Sequence, residues 1–207
     1  MVTNKYFILL LSLSFIIFSS SCGKDKVFCA NTKYGFNLNA EIDKDLDSIT
    51  TSDTIYLKIK ASTTLIDSQT GKEINYSNAK NLGMVLTLLK VTDVNSTVGA
   101  IKDFELLSLK GSSVTPVLND SYREFLFAEE EQHYVFTLGL KPKVKGNYAI
   151  NLSDASNVFR SNDKCTKAFF EITFANTDQH FNFLKTWSPN AILDEVGKVR
   201  VYYFKVY

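Results

Sequence analysis

Glycine and proline are both scarce, nine and three in 207 residues, about 4% and 1.5% against usual shares of roughly 7% and 5%. Collagen-like and linker-rich chains are excluded by that shortage. The nearest pair of glycines is Gly139 and Gly146, so neither G-x-G-x-x-G nor a Walker loop can wrap a phosphate. Histidine is scarcer still. Only His133 and His180 occur, with no C-x-x-C or H-E-x-x-H spacing, which argues against zinc chemistry. Charge of either sign is not in excess, at 23 Lys+Arg and 22 Asp+Glu. The chain therefore lacks the electrostatic footprint of a nucleic-acid binder, and neither nucleic acid nor a cofactor is an expected partner. No apolar run reaches the roughly 20 residues that a membrane-spanning helix needs.

Apolar and aromatic residues are plentiful, at 45% and 13%, and they alternate with the period of a strand. Phe36, Leu38, Ala40 and Ile42 share one side of a first segment, and Ile55, Leu57 and Ile59 repeat the pattern. Met84 to Val91 is apolar on both faces except at Thr87 and Lys90, as in a central strand. Segments at Phe104–Leu109, Tyr122–Phe127, Tyr134–Leu140, Tyr148–Leu152, Phe170–Phe174 and Val199–Tyr207 complete a set of about nine. Asp67 to Lys72, between Leu65-Ile66 and Ile74, reads as a hairpin tip. Asp178 could cap one short helix carrying Phe181, Leu184 and Trp187 and stopped by Pro189. Strands joined mostly by short turns predict a mainly β chain, an antiparallel, immunoglobulin-like β-sandwich with that helix near the C-terminus.

The start reads differently. Lys5 precedes an apolar stretch from Tyr6 to Phe18, broken only by Ser12 and Ser14, and then Ser19-Ser20-Ser21-Cys22. A weakly basic start, a short apolar stretch and small residues are the parts of a secretory signal peptide. A cysteine directly after three small residues resembles the lipobox of bacterial lipoproteins, and serine-rich forms with Ser19 in place of the usual Leu point to the Bacteroidota. The resemblance implies that Cys22 becomes the first mature residue and carries the acyl chains. Several chains on one residue give stable anchoring where one does not. Gly23-Lys24-Asp25-Lys26 resembles the export signal for the outer face of the outer membrane, and reads equally well as a solvated tether. The expected location is the outer membrane, lipid-anchored, on its periplasmic or surface face. The expected layout is a signal peptide over 1–21, a lipidated cysteine and tether over 22–33, and one sandwich domain over 34–207.

With Cys22 taken by lipid, as the resemblance implies, Cys29 and Cys165 remain as a candidate disulfide in an oxidising compartment. Closing a loop longer than 100 residues would stabilise the fold by up to about 5 kcal/mol in the chain-entropy model. Asp47-Ser48 and Asp53-Thr54-Ile55-Tyr56-Leu57, then Leu65, Asp67, Thr70-Gly71-Lys72 and Ile74-x-Tyr76-Ser77-Asn78-Ala79, resemble a stretch in uncharacterised Bacteroidota lipoproteins. Val201-Tyr202-Tyr203-Phe204 resembles their aromatic C-terminal strand. Those proteins have no assigned activity, so the resemblance implies location and build only.

Candidate chemistry is thin. Asp43, Asp45 and Asp47 open like a calcium loop, but Ser48 stands at the turn glycine and Thr54 at the bidentate glutamate. Glu129, Glu130 and His133 could chelate a cation on a helix, or sit in a charged loop between strands. Ser77-x-x-Lys80 and Ser161-x-x-Lys164 match the nucleophile element of serine acyltransferases without its K-T-G partner. Trp187 could stack on a sugar or fill a core. Asp47-Ser48-Ile49 and Asp53-Thr54-Ile55 resemble the O-glycosylation sequon of the same phylum. A pair of carboxylates could still serve glycoside hydrolysis. The expected function is a binding or structural module for a glycan or a protein. A carboxylate-pair enzyme and a pilin-like subunit donating Val199–Tyr207 to a neighbour's sheet are the alternatives.

Overall fold

The computed structural model describes residues 33–43, 47–93, 96–114, 119–175, 180, 185 and 200–207. The chain first forms β1 (Lys33–Ile42), β2 (Ser48–Ile49), β3 (Ile55–Ser62), β4 (Thr64–Ile66), β5 (Glu73–Asn75) and β6 (Ala79–Lys80). Next come β7 (Gly83–Asp93), β8 (Ser96–Gly99), one 3₁₀ turn (Ile101–Asp103), β9 (Phe104–Lys110), β10 (Ser112–Ser113) and β11 (Tyr122–Leu126). The last set is β12 (Ala128–Glu130), β13 (His133–Pro142), β14 (Gly146–Leu152), β15 (Ala155–Arg160), β16 (Asp163–Phe174) and β17 (Val201–Val206).

Period-two burial produces two sheets. An eight-stranded sheet runs β12-β13-β3-β1-β16-β15-β6, with β9 also on β13. A seven-stranded sheet runs β10-β11-β7-β14-β17-β2, with β8 also on β7. Phe36, Leu38 and Ala40 of β1, Leu57 of β3, Phe136 and Leu138 of β13, and Phe170 and Ile172 of β16 are buried from the larger sheet. Leu86 and Leu88 of β7, Tyr148 and Ile150 of β14, and Phe204 of β17 are buried from the other. Both sets belong to one hydrophobic cluster, so the sheets pack sandwich-like on a common core. Each such side chain contributes about 1.5–3 kcal/mol by leaving water.

Each of the nine expected segments contains a strand, the last over Val201–Val206, with Val199 outside the described residues. The remaining strands are pieces of two to six residues, and all but β15 are too short to show a period. β15 is longer, but Asn157 sits in the left-handed region at φ 59° and the register shifts between Ala155 and Val158. That bulge breaks the alternation a reader would look for. The expected antiparallel sandwich needs correction. β1 pairs β16 in parallel over eight positions, from Lys33 opposite Lys167 to Ala40 opposite Phe174. β17 pairs β2 in parallel as well. Parallel neighbours need a long connection, and the chain between β1 and β16 supplies one by passing through both sheets.

The helix expected from Asp178 to Pro189 lies outside the described residues, apart from His180 and Lys185. The strand at the C-terminus is built into its own sheet. Val201 to Val206 pair with β14 along their whole length, and Tyr202, Phe204 and Val206 are buried. Lending β17 to a neighbour would strip three side chains from the core, so the pilin-like reading is set aside.

Two of the places where the chain changes sheets are tight. Between β9 and β10, Gly111 holds φ at +83°, and a Cβ there would stand 2.5 Å from the Leu126 carbonyl oxygen and 2.9 Å from the Phe136 ring. At the start of β7, Gly83 passes so close to β11 that a Cβ would stand 1.9 Å from the Phe125 carbonyl oxygen. Gly111→Ala is expected to cost about 2 kcal/mol or more, read as a lower urea midpoint at unchanged slope.

Candidate functional site

The chain between β3 and β7 leaves the sheet because its local sequence makes a small separate hairpin. Leu65 faces Ile74 across β4 and β5, and Asp67 and Gly71 close the tip. The Asp67 carboxylate is buried. It accepts the Thr70 hydroxyl at 2.6 Å, the Thr70 N–H at 3.1 Å and the Gly35 N–H of β1 at 2.9 Å. Those bonds, the Thr70 hydroxyl first, hold Asp67 below the usual carboxylate range against the opposing effect of burial.

Tyr76 then pins the chain to the core. Its ring packs 5.3 Å from Phe36 and 5.8 Å from Phe170, and its hydroxyl lies 3.0 Å from the Val158 and Thr166 carbonyls. Burial first, with the Asp163 charge adding to it, raises Tyr76 to about 12. The Tyr134 hydroxyl of β13 donates to the Tyr76 carbonyl, and burial pushes Tyr134 upward too.

Held this way, the larger sheet curls until its two outer strands, β6 and β12, face each other. The Asn78 N–H donates to the Glu129 carboxylate at 2.7 Å, and the Phe127 N–H donates to the Leu82 carbonyl at 2.9 Å. A cavity of about 410 Å³ lies beside these links, with Asn78, Lys80, Glu129, Glu131 and Gln132 as its polar lining and Leu82, Phe127 and Tyr134 among the rest. A second cavity of about 450 Å³ lies between β7, β11 and the start of β15. Asn81, Glu124, Ser153, Asp154 and Ser156 give it polar groups. Asp154 there is already engaged, accepting the Ile172 N–H at 3.1 Å and the Arg200 guanidinium at 2.8 Å. Arg200 also reaches Glu171 at 3.1 Å.

Five non-glycine residues among those described have positive φ, and four of them border these cavities: Asn78, Asn81, Glu131 and Gln132. Asparagine tolerates that region, whereas glutamate and glutamine are strained there. Glu131 and Gln132, at φ 46° and 62°, form the two-residue loop between β12 and β13, with Glu130 opposite His133. Positive φ at both central residues is the primed hairpin turn, which ordinarily takes Asn-Gly.

The residues singled out from sequence are scattered. Glu129, Glu130 and His133 lie on strands, not on a helix face, so the chelating arrangement does not form. Ser77 and Lys80 flank the first cavity edge on non-helical backbone, and Ser161 and Lys164 belong to the β15–β16 hairpin. Their i, i+3 spacing therefore does not bring hydroxyl and amine onto one helical face. The Asp43 carboxylate accepts the Tyr56 N–H at 2.8 Å and stands 3.8 Å from Lys58, and Asp47 stands 3.9 Å from His180. Asp45 lies outside the described residues, among which no cluster of metal ligands is found. Cys165 is disulfide-bonded, and Cys22, Cys29 and Trp187 lie outside the described residues. Ser48 is exposed in β2, and the Asp53 carboxylate takes the Thr50 N–H at 2.7 Å. Glu131 and Gln132 were missed by sequence reasoning. The sequence carried no signal for them, because β12 is too short to show a period and the turn lacks the Gly or Asn that usually marks it.

No protein-family profile matches the chain, and no curated protein matches it. Among solved structures it is similar to a non-cellulosomal cohesin from the hyperthermophilic archaeon Archaeoglobus fulgidus, at 11% identity and a TM-score of 0.28, over 73% of this chain and 98% of that one. A likeness at that score carries no argument here. No helix among the described residues is long and apolar enough to cross a membrane.

Two outcomes are expected. Replacing Glu131-Gln132 by Asn-Gly should raise stability by about 1 kcal/mol, seen as a melting midpoint higher by about 2–4 °C. Asp67, with its carboxyl lowered in the folded state, adds stability above the ordinary value of 3.8 that is lost as the pH falls through the lower folded value. Asp67→Asn should therefore flatten the acid limb of a urea-midpoint profile taken from about pH 6 down to about pH 2.

Proposed function

We propose that the chain is the lipid-anchored outer-membrane lipoprotein its first 22 residues resemble, and that it works as a binding module for a glycan or a protein. The observation that carries the binding reading is the polar-lined cavity between β6 and the β12–β13 hairpin, at the two outer strands of the larger sheet. Hydrolysis by a carboxylate pair calls for a general acid with a raised pKa. The described carboxylates with shifted titration, Asp67 and Asp163, are both lowered, chiefly by the hydroxyls of Thr70 and Thr166. Glu129 and Asp154, which line the cavities, already hold backbone N–H groups. The arrangement suits recognition better than proton transfer.

The proposal extends to three finer points. An immunoglobulin-like sandwich is supported by Tyr148, whose hydroxyl donates back to the Val144 carbonyl at 2.9 Å in the manner of a tyrosine corner. A Cys29–Cys165 bond is supported by register: β1 begins four residues after Cys29, and its first residue, Lys33, sits opposite Lys167, two residues after Cys165. Anchoring through Cys22 leaves the short stretch 23–32 as tether before β1.

One digest tests the anchoring and the bond together. Non-reducing trypsin treatment of the membrane-extracted chain should yield a residue 22–24 peptide carrying the added acyl mass, and residues 27–33 joined to 165–167. An unacylated N-terminus, or free thiols at Cys29 and Cys165, would refute the corresponding point. Binding is tested by presenting the chain to glycan and host-protein arrays, where silence on both would remove the module reading.

A further inference from the structure

We propose that the cavity between β6 and the β12–β13 hairpin is the ligand site and that its ligand is a neutral saccharide unit of one or two rings; this rests on the binding-module reading. Existing pairing argues against an added peptide strand. The Asn78–Glu129 and Phe127–Leu82 bonds already join the two sides of the slot, so the backbone groups they use are not open to a further strand. A compact ligand does fit, because about 410 Å³ lies in the lower part of the roughly 300–1,000 Å³ range of small-molecule pockets.

The wall chemistry decides the class. Asn78 and Gln132 carry amides that both donate and accept, Lys80 only donates, and the Glu129 and Glu131 carboxylates only accept. Glu129 commits Oε2 to the Asn78 N–H and keeps Oε1. A ligand cation would meet Lys80, and an anion would meet two carboxylates. Neutral hydroxyls, each donor and acceptor at once, match the mixed set without an unpaired charge. Half-buried Phe127 offers a small apolar surface against which the C–H face of a sugar ring can rest.

Backbone conformation supplies an independent observation. Glu131 and Gln132 hold left-handed conformations that strain their backbones, yet both side chains are exposed and gain nothing from core packing. Contact with a ligand in the cavity gives those two residue types a role that Asn-Gly, the relaxed sequence for the same turn, could not fill.

That contrast makes the test independent of misfolding. The full chain is titrated by calorimetry with cellobiose, maltose, lactose and chitobiose, beside trilysine, sulfate and an extended neutral hexapeptide. At least one disaccharide should bind, and the three comparison probes should not. The double variant Glu131→Asn/Gln132→Gly should bind that disaccharide at least 10-fold more weakly while melting higher than the natural chain. Lys80→Ala should weaken it as well, with an unchanged melting midpoint. Equal affinity in both variants, binding of the hexapeptide instead, or silence of all four disaccharides would overturn the proposal. If the disaccharides are silent but an array ligand binds equally to the natural chain and the variants, the saccharide site falls and the module reading stands. Silence on the arrays too would remove both.

Discussion

Tyr76 is the contact on which the geometry of the cavity end depends. Its ring fills the aromatic group of Phe36, Phe170 and Tyr134, and its hydroxyl and carbonyl tie the crossover to β15, β16 and β13. Burying a phenol is favourable only when its hydroxyl finds partners, and here the Val158 and Thr166 carbonyls lie at hydrogen-bonding distance. With the crossover held, β6 faces β12 across a slot too wide for direct strand pairing and narrow enough for the Glu129 side chain to bridge. An open sheet edge becomes one side of a lined cavity.

The parallel pairing of β1 with β16 would have a mechanical consequence if the chain is anchored near its start as proposed. β1 lies between β3 and β16 within the larger sheet, and its inner face carries Phe36, Leu38 and Ala40 into the core. Tension on the preceding segment would have to shear an eight-position ladder, not peel a terminal strand. A disulfide at Cys165, at the start of that same ladder, places a covalent constraint where such a load would enter.

Much of the strand content was legible because burial of one face imposes a two-residue period that leaves a direct trace in residue type. Phe36-x-Leu38-x-Ala40, Ile55-x-Leu57-x-Ile59 and Phe136-x-Leu138-x-Leu140 are strands, and their apolar members are buried. The Asp67–Lys72 tip was legible because Asp, Thr and Gly are residues that close turns for stated chemical reasons. β2, β6, β10 and β12 were not, since two or three residues cannot show a period and their pairing depends on distant partners. The acyltransferase and chelation patterns at Ser77–Lys80 and Glu129–His133 failed for one reason: both presuppose helical spacing, and the backbone is not helical there.

The sequence by itself determined a mainly β chain, the positions of nine strands and the charge balance that argues against a nucleic-acid partner, because each follows from residue type and local spacing. Only the tertiary structure decided that β1 runs parallel to β16, that the larger sheet curls onto itself, and that Asn78, Lys80, Glu129, Glu131 and Gln132 share one cavity. Those residues come from two segments about 50 positions apart, joined by Tyr76 and Tyr134. Long-range contact of that kind costs chain entropy that only the assembled core offsets, so it leaves no local pattern to read.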